Sequence, residues 1–274
     1  MDDEPLGDLD LTRPSLARVW NHVLGGKDNY EADREVAGEM IKALPGLPAM
    51  TLTGERFRFR AVRYLAGCGT RQFLDLGVGL PGGRRMPVHE IAQEVEPAAR
   101  VVYVDDDPLV AAHCRAVLVT TSTAAGRAAF VRADIGSPTR LLDDPELTEV
   151  LDLRRPVAVL ATVVLACFDD DTAGEIVATL LGALPAGSHL VVGHPSADVE
   201  PDAMHRAMAA ARGAGLPLRP RTRERVTALL DGLELVEPGV VPPFAWRPAV
   251  GGDRVVAAWA RRRAPCWVGV GRKP

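Results

Sequence analysis

The chain has 274 residues, 47% of them hydrophobic and 25% charged, which suits one α/β domain, or a core with a small appended element. Its formal net charge of −4 gives no field to gather nucleic acid or an anionic membrane, so neither is expected as a partner. The acidic opening, Met1 to Asp10, lacks the basic flank and apolar core of a signal peptide, and no apolar run approaches the roughly 20 residues of a membrane span; a cytoplasmic setting is expected.

From Pro14 to about Ala66 the pattern is helical, broken once at Pro45-Gly46-Leu47-Pro48. Ser15 is placed to cap a first helix whose Leu16, Val19 and Val23 share one face, and Gly25-Gly26 ends it. A second helix is predicted over Tyr30 to Leu44 and a third over Gly54 to Ala66. From Arg71 onward, strands alternate with helices. Apolar runs at Gln72–Gly77, Arg100–Asp105, Ala128–Asp134, Pro156–Ala161 and Ser188–Gly193 read as five strands. The segments Val88–Val95, Pro108–Leu118, Leu141–Leu151 and Thr172–Leu184 between them have helix length. Continuous apolar strands separated by helices indicate a parallel sheet covered on both faces. Asp202–Arg212 and Arg221–Leu230 then read as helices, and Leu233–Glu237 and Arg254–Ala260 as a closing pair of strands across a Pro-rich loop. Five parallel strands followed by an antiparallel hairpin is the order of a methyltransferase sheet rather than of a dinucleotide dehydrogenase.

Three features fall at the carboxyl ends of the first three strands, where ligands of open α/β sheets bind. The first is Asp75-Leu-Gly77-Val-Gly79, a turn where the absence of Cβ atoms lets a ligand approach the backbone, with the following helix able to aim free N–H groups at a negative group. A tight strand–helix connection is the plainer reading. Gly77, Gly79 and Gly82 keep the G-x-G-x-x-G spacing, but the Gly-Arg-Arg-Met-Pro insertion that follows separates them from the next helix, which counts against a pyrophosphate site and a nicotinamide oxidoreductase. The second feature is Asp105-Asp106-Asp107-Pro108. Asp105, with Asp106 beside it, is the candidate for accepting ribose hydroxyls, while Asp107 before proline suits a helix N-cap. The third is Asp134-Ile135, where the carboxylate can accept from an exocyclic amino group and Ile135 pack on an adenine; a solvated loop aspartate is the alternative.

The N-terminal segment adds Trp20, Asn21, Gly25-Gly-Lys-Asp-Asn-Tyr30 and Asp33. A phosphate-loop reading fails for want of the spacing and of a preceding strand, leaving either a plain turn or a loop that covers the crevice. His194, after strand five, is the candidate general base, against a structural role. The remaining histidines show no metal spacing, and Cys68, Cys114, Cys167 and Cys266 form no C-x-x-C pair, so no metal is expected and the thiols are read as reduced. No G-x-S-x-G elbow is present.

The run Pro14-Ser-Leu-Ala-Arg-Val-Trp-Asn-His-Val-Leu-Gly-Gly-Lys-Asp-Asn-Tyr30, followed by Ala32-Asp33-Arg34, resembles the opening of the actinobacterial S-adenosyl methyltransferase family, long catalogued as a domain of unknown function. Arg60–Ala66, Gln72–Pro81, His89–Gln93, Val101–Pro108, Pro156–Leu160 and Gly187–Leu190 extend the match. The resemblance implies a class I methyltransferase fold, with residues 1–66 as a helical cap and 67–274 as the domain that binds S-adenosylmethionine. Carried over by position, Asp75, Gly77, Gly79, Asp105 and Asp134 are its cofactor residues. The chain departs from the family pattern at Val78, where threonine is usual, and at Gly82–Pro87, which replaces a shorter link. Leu165-Ala166 stands for leucine-histidine, and Gly54-Glu55 for asparagine-arginine. The expected activity is methyl transfer to a small molecule such as a secondary metabolite. These lost polar groups motivate the alternative, a protein that binds S-adenosylmethionine or S-adenosylhomocysteine without turnover.

Overall fold

The computed structural model describes residues 10–82, 85–117, 126–248 and 264–274. Among these residues seven strands form one sheet: β1 (Gln72–Leu76), β2 (Arg100–Asp105), β3 (Arg127–Arg132), β4 (Ala158–Thr162), β5 (His189–Pro195), β6 (Glu234–Leu235) and β7 (Cys266–Arg272). Their spatial order is β3-β2-β1-β4-β5-β7-β6. The first five are parallel, and β7 lies antiparallel between β5 and β6. This is a class I methyltransferase sheet.

The apolar runs are explained by burial on both faces. Phe73, Val101, Tyr103 and Leu160 point into one core; Leu74, Leu76, Val102, Val104 and Val159 point into the other. The first core is roofed by α1 (Leu16–Val23), α2 (Glu31–Ala43), α3 (Leu47–Gly67), α4 (Val88–Val95), α5 (Pro108–Val117) and α9 (Pro201–Gly213). The second is covered by α6 (Pro138–Leu142), α7 (Pro145–Val150), α8 (Asp170–Gly182) and α10 (Arg223–Ala228). The anticipated boundary at residue 66 falls in the last turn of α3. Phe57, Ala61, Val62 and Leu65 of α3 share the core of Phe73 and Tyr103, so helical cap and sheet are joined by one apolar interior.

Several boundaries differ from expectation. Helix α3 starts at Leu47 rather than Gly54, because Pro48 falls in the first turn, where no intrahelical N–H is needed. The stretch Leu141–Leu151 is two helices, since Asp144 ends one turn and caps the next by accepting from Glu146 N and Leu147 N. The strand anticipated at Arg254–Ala260 lies outside the described residues, and the strand that pairs with β5 is Cys266–Arg272. Among the described residues, no helix is long and apolar enough to cross a membrane.

Candidate active site

Strand order reverses between β1 and β4, so the loops leaving their carboxyl ends part and open a crevice. The loop after β1 is hooked to the tip of β2: Gly77 N and Val78 N both donate to Val104 O, at 2.8 and 3.1 Å. Gly79 N donates to Asp105 Oδ2 at 2.8 Å. Both glycines have φ of +64°, and a Cβ on Gly77 would lie 2.7 Å from the Val164 side chain. The loop therefore demands glycine for its backbone and for the space above it.

Asp105 also accepts from Asp107 N through Oδ1, at 3.1 Å. Each oxygen keeps a lone pair, so the carboxylate can still accept two hydroxyls. Burial pushes its carboxyl up to about 6, against the pull of the two backbone N–H groups. Asp107 uses Oδ1 to cap α5 at Leu109 N, 2.8 Å, while Oδ2 accepts from Ser15 Oγ at 2.6 Å. Ser15 thus ties α1 to α5 and makes no capping bond to its own helix, contrary to the sequence expectation. Asp134 is exposed at the end of β3, where Oδ1 accepts from Gly136 N at 2.8 Å, and Ile135 beside it is 7% exposed.

These tips face one cleft of about 290 Å³. Gly77, Gly79, Asp105, Asp106, Asp134 and Ile135 all line it. Its other walls come from residues that sequence reasoning did not assign to a site. Ser15 to Ala17 and Trp20 of α1 form the roof, Thr162 to Val164 follow the tip of β4, and Phe168 closes one end. The β4 tip was open to inference, since it borders the strand-order reversal. Val163 there is held at φ of +80°, a costly conformation for a β-branched residue and one that clusters at functional sites. Glu55 and Arg85, also in the wall, had no sequence signal beyond the changed motif and the longer link that carry them.

Four expected features lie elsewhere. Asp75 is fully buried, outside the cleft lining, with Oδ2 3.4 Å from Arg58 Nη1 and Oδ1 without a hydrogen-bond partner among the described residues. Burial raises its carboxyl above the ordinary range, against the pull of Arg58 and Arg85. His194 is 1% exposed and likewise off the cleft. Its Nε2 lies 2.6 Å from Arg221 Nη1 and its Nδ1 lies 3.0 Å from Pro195 O. Arginine can only donate, so Nε2 accepts and Nδ1 carries the proton, which leaves no lone pair for a substrate. Burial, with Arg221 adjacent, lowers its pKa to about 4. Helix α4 sits behind the loop, where His89 N donates to Tyr103 Oη at 2.9 Å, and none of its residues lines the cleft. The loop Gly25–Tyr30 does not line the cleft either; it folds onto Asn21, whose Oδ1 accepts from Asp28 N and Asn29 Nδ2, both at 3.0 Å.

The charge of the cleft is lopsided. Glu55, Asp105, Asp106, Asp107 and Asp134 line it, and Arg85 is the sole basic side chain among the lining residues. Burial opposes the charge of Glu55, yet Arg58 and Arg85 beside it hold its carboxyl below the usual range. Its Oε2 accepts from Arg58 Nη2 at 2.8 Å, and its Oε1 lies 3.6 Å from Arg85 Nε. Such a surface suits a ligand with net positive charge that also carries a single anionic group.

The whole fold recurs in known structures. A DUF574 family protein from Streptomyces avermitilis MA-4680 matches with a TM-score of 0.90 and 38% identity, covering 97% of this chain and 99% of that one. A candidate methyltransferase from Thermobifida fusca YX matches with a TM-score of 0.86 and 35% identity, covering 99% of each chain. Magnesium protoporphyrin IX methyltransferase from Synechocystis PCC 6803, solved with bound SAH, shares the fold at a TM-score of 0.54 and 10% identity, covering 93% of each. No curated protein sequence matches the chain. The model of one family, described as S-adenosyl methyltransferase, matches residues 2–274. With that match over nearly its full length, and a class I sheet whose strand tips open on one acidic cleft, the chain belongs to the S-adenosyl methyltransferase family.

Proposed function

We propose that this chain transfers the methyl group of S-adenosylmethionine to a small-molecule acceptor, with the cofactor seated in the cleft at the tips of β1, β2 and β3. The observation that carries this reading is the convergence of Gly77, Gly79, Asp105 and Asp134, from three neighbouring strands, on one cavity. The residues fit an adenosyl group. Asp105 keeps two acceptor sites for ribose hydroxyls and is ionised at neutral pH, with Asp106 on the rim beside it. Asp134 can accept from the exocyclic amine of an adenine packed on Ile135, and the glycine loop leaves room for the chain that follows. Asp75 acts at one remove, through Arg58 and Arg85.

Bound S-adenosylmethionine supplies a methyl group activated by a sulfonium. The protein supplies position and dryness. Trp20 and the start of α1 roof the cleft, and a second, apolar chamber of about 30 Å³ adjoins it, with Trp20, Met50, Phe57 and Cys266 in its wall. Thr162 lines both spaces, and its Oγ1 is buried with no hydrogen-bond partner among the described residues. A chamber of that size admits a water rather than a whole acceptor, so an acceptor lies in the cleft, where Thr162 Oγ1 can bond to a polar group on it. Alignment and desolvation account for much of the rate in such a transfer, at effective molarities of roughly 10⁵ M or more. A dedicated base is required only for an acceptor that must lose a proton first.

The test has two stages. Mass spectrometry of the native protein after incubation with S-adenosylmethionine and with NAD should show retention of the first only. Methyl-labelled S-adenosylmethionine, incubated with the protein and a panel of small phenols, amines and thiols, should then label an acceptor. Retention of NAD alone would overturn the reading in favour of an oxidoreductase. Retention of the cofactor without transfer to any member of the panel would leave a binding protein.

A further inference from the structure

The amino-acid end of the ligand needs a counter-charge that the expected helix does not provide. Helix α4 begins beyond the Gly82–Pro87 link, its His89 N–H is taken by Tyr103, and none of its residues lines the cleft. The link instead contributes Arg85. Its side chain is 9% exposed, and its Nε has no hydrogen-bond partner among the described residues. Its Nη1 is 2.9 Å from the position a Cβ would take on Gly79, so the guanidinium lies directly against the glycine loop. Glu55 faces the same space; Oε2 is engaged by Arg58, while among the described residues Oε1 makes only the 3.6 Å ion pair to Arg85.

On the reading above of S-adenosylmethionine as the ligand, we propose that Arg85 and Glu55 form a zwitterion-reading pair at the end of the cleft. Arg85 binds the α-carboxylate of the ligand's amino-acid moiety, and Glu55 accepts from its α-ammonium. A guanidinium matches a carboxylate with two parallel N–H bonds, and Arg85 is the sole cation in the lining able to do so. Arg58 and Asp75 act as positioning residues. Arg58 holds Glu55 ionised, and Asp75, 3.4 Å from Arg58 Nη1, fixes that guanidinium in place.

Two ligands separate this role from a general effect on the cleft. S-adenosylhomocysteine carries the amino-acid moiety; methylthioadenosine has the same adenosyl and thioether groups without it. In calorimetric titrations, Arg85→Gln should weaken S-adenosylhomocysteine by about 10- to 100-fold, the range for a lost charged hydrogen bond. The same variant should leave methylthioadenosine unchanged. Arg85→Lys should recover part of the loss, as a point charge without the fork. Equal weakening of both ligands, or of neither, would overturn the assignment, the first by making Arg85 a support for the loop. Retained methylthioadenosine binding also reports that the variant is folded. A wild-type chain that binds neither ligand would overturn the cofactor reading itself, and the pair with it.

Discussion

Asp105 is pulled in two directions by its position. Its carboxyl titrates at about 6 in the folded chain against an ordinary value of 3.8, because burial penalises the charge. Between those values the folded state holds a proton that the unfolded state has released, so stability falls as pH rises from about 4 to about 6 and is level above that. Asp105→Asn should abolish this slope in chemical denaturation curves, but its Nδ2 would face one of the two backbone N–H donors, so it should cost about 1–3 kcal/mol of stability and weaken S-adenosylhomocysteine binding by a similar amount. For the wild type, the same titration predicts affinity that drops as pH falls below about 6. Gly77 is constrained differently. Gly77→Ala meets Val164 at 2.7 Å and adopts φ of +64°, which should cost about 1–3 kcal/mol and weaken the ligand. Adding Val164→Ala should recover little, because Val164 Cβ itself lies 2.7 Å from the new methyl group, as thermal melts of the double variant would report.

At the scale of elements, the roof of the cleft depends on one buried carboxylate. Asp33, fully buried on α2, accepts from Arg18 Nε, Tyr30 N and Ser15 N at 2.8, 2.8 and 2.9 Å, which joins α1 to α2. Asp33→Ala strands the buried Arg18 and should cost about 3–5 kcal/mol in denaturant unfolding. Ser15→Ala is milder: it cuts the tie to Asp107 and should speed hydrogen exchange in α1 with the sheet unaffected. The sheet itself was legible from sequence because both faces of β1 to β5 are buried, which forces unbroken apolar runs. Strand β7 was not, and the reason is steric. Gly269 and Gly271 interrupt its apolar pattern because a Cβ on Gly271 would meet Leu233 at 2.7 Å and one on Gly269 would meet Leu230 at 3.0 Å. Residues that a strand normally avoids are there to let α10 and its loop approach.

At the scale of the molecule, the site divides into a legible and an illegible half. Strand tips follow from topology, so Gly77, Gly79, Asp105 and Asp134 could be nominated from spacing alone. The roof, the β4 rim and the Arg85–Glu55 pair come from long-range contacts, which no local pattern records. His194 shows the limit of rim arguments: it lies at the end of β5, but it joins Arg221 to the strand tip, and Arg221 in turn binds Leu165 O, Phe168 O and Asp170. His194→Gln should therefore lower the melting temperature and leave S-adenosylhomocysteine affinity unchanged; a loss of affinity with stability intact would return the histidine to the site.

A co-crystal structure with S-adenosylhomocysteine tests the shared adenosyl pocket most directly. The density should place ribose hydroxyls on Asp105 and the adenine between Asp134 and Ile135, with the thioether chain passing over Gly77 and Gly79. Density for the nucleoside outside this cleft, or a ribose that leaves the Asp105 carboxylate without a hydroxyl, would contradict it.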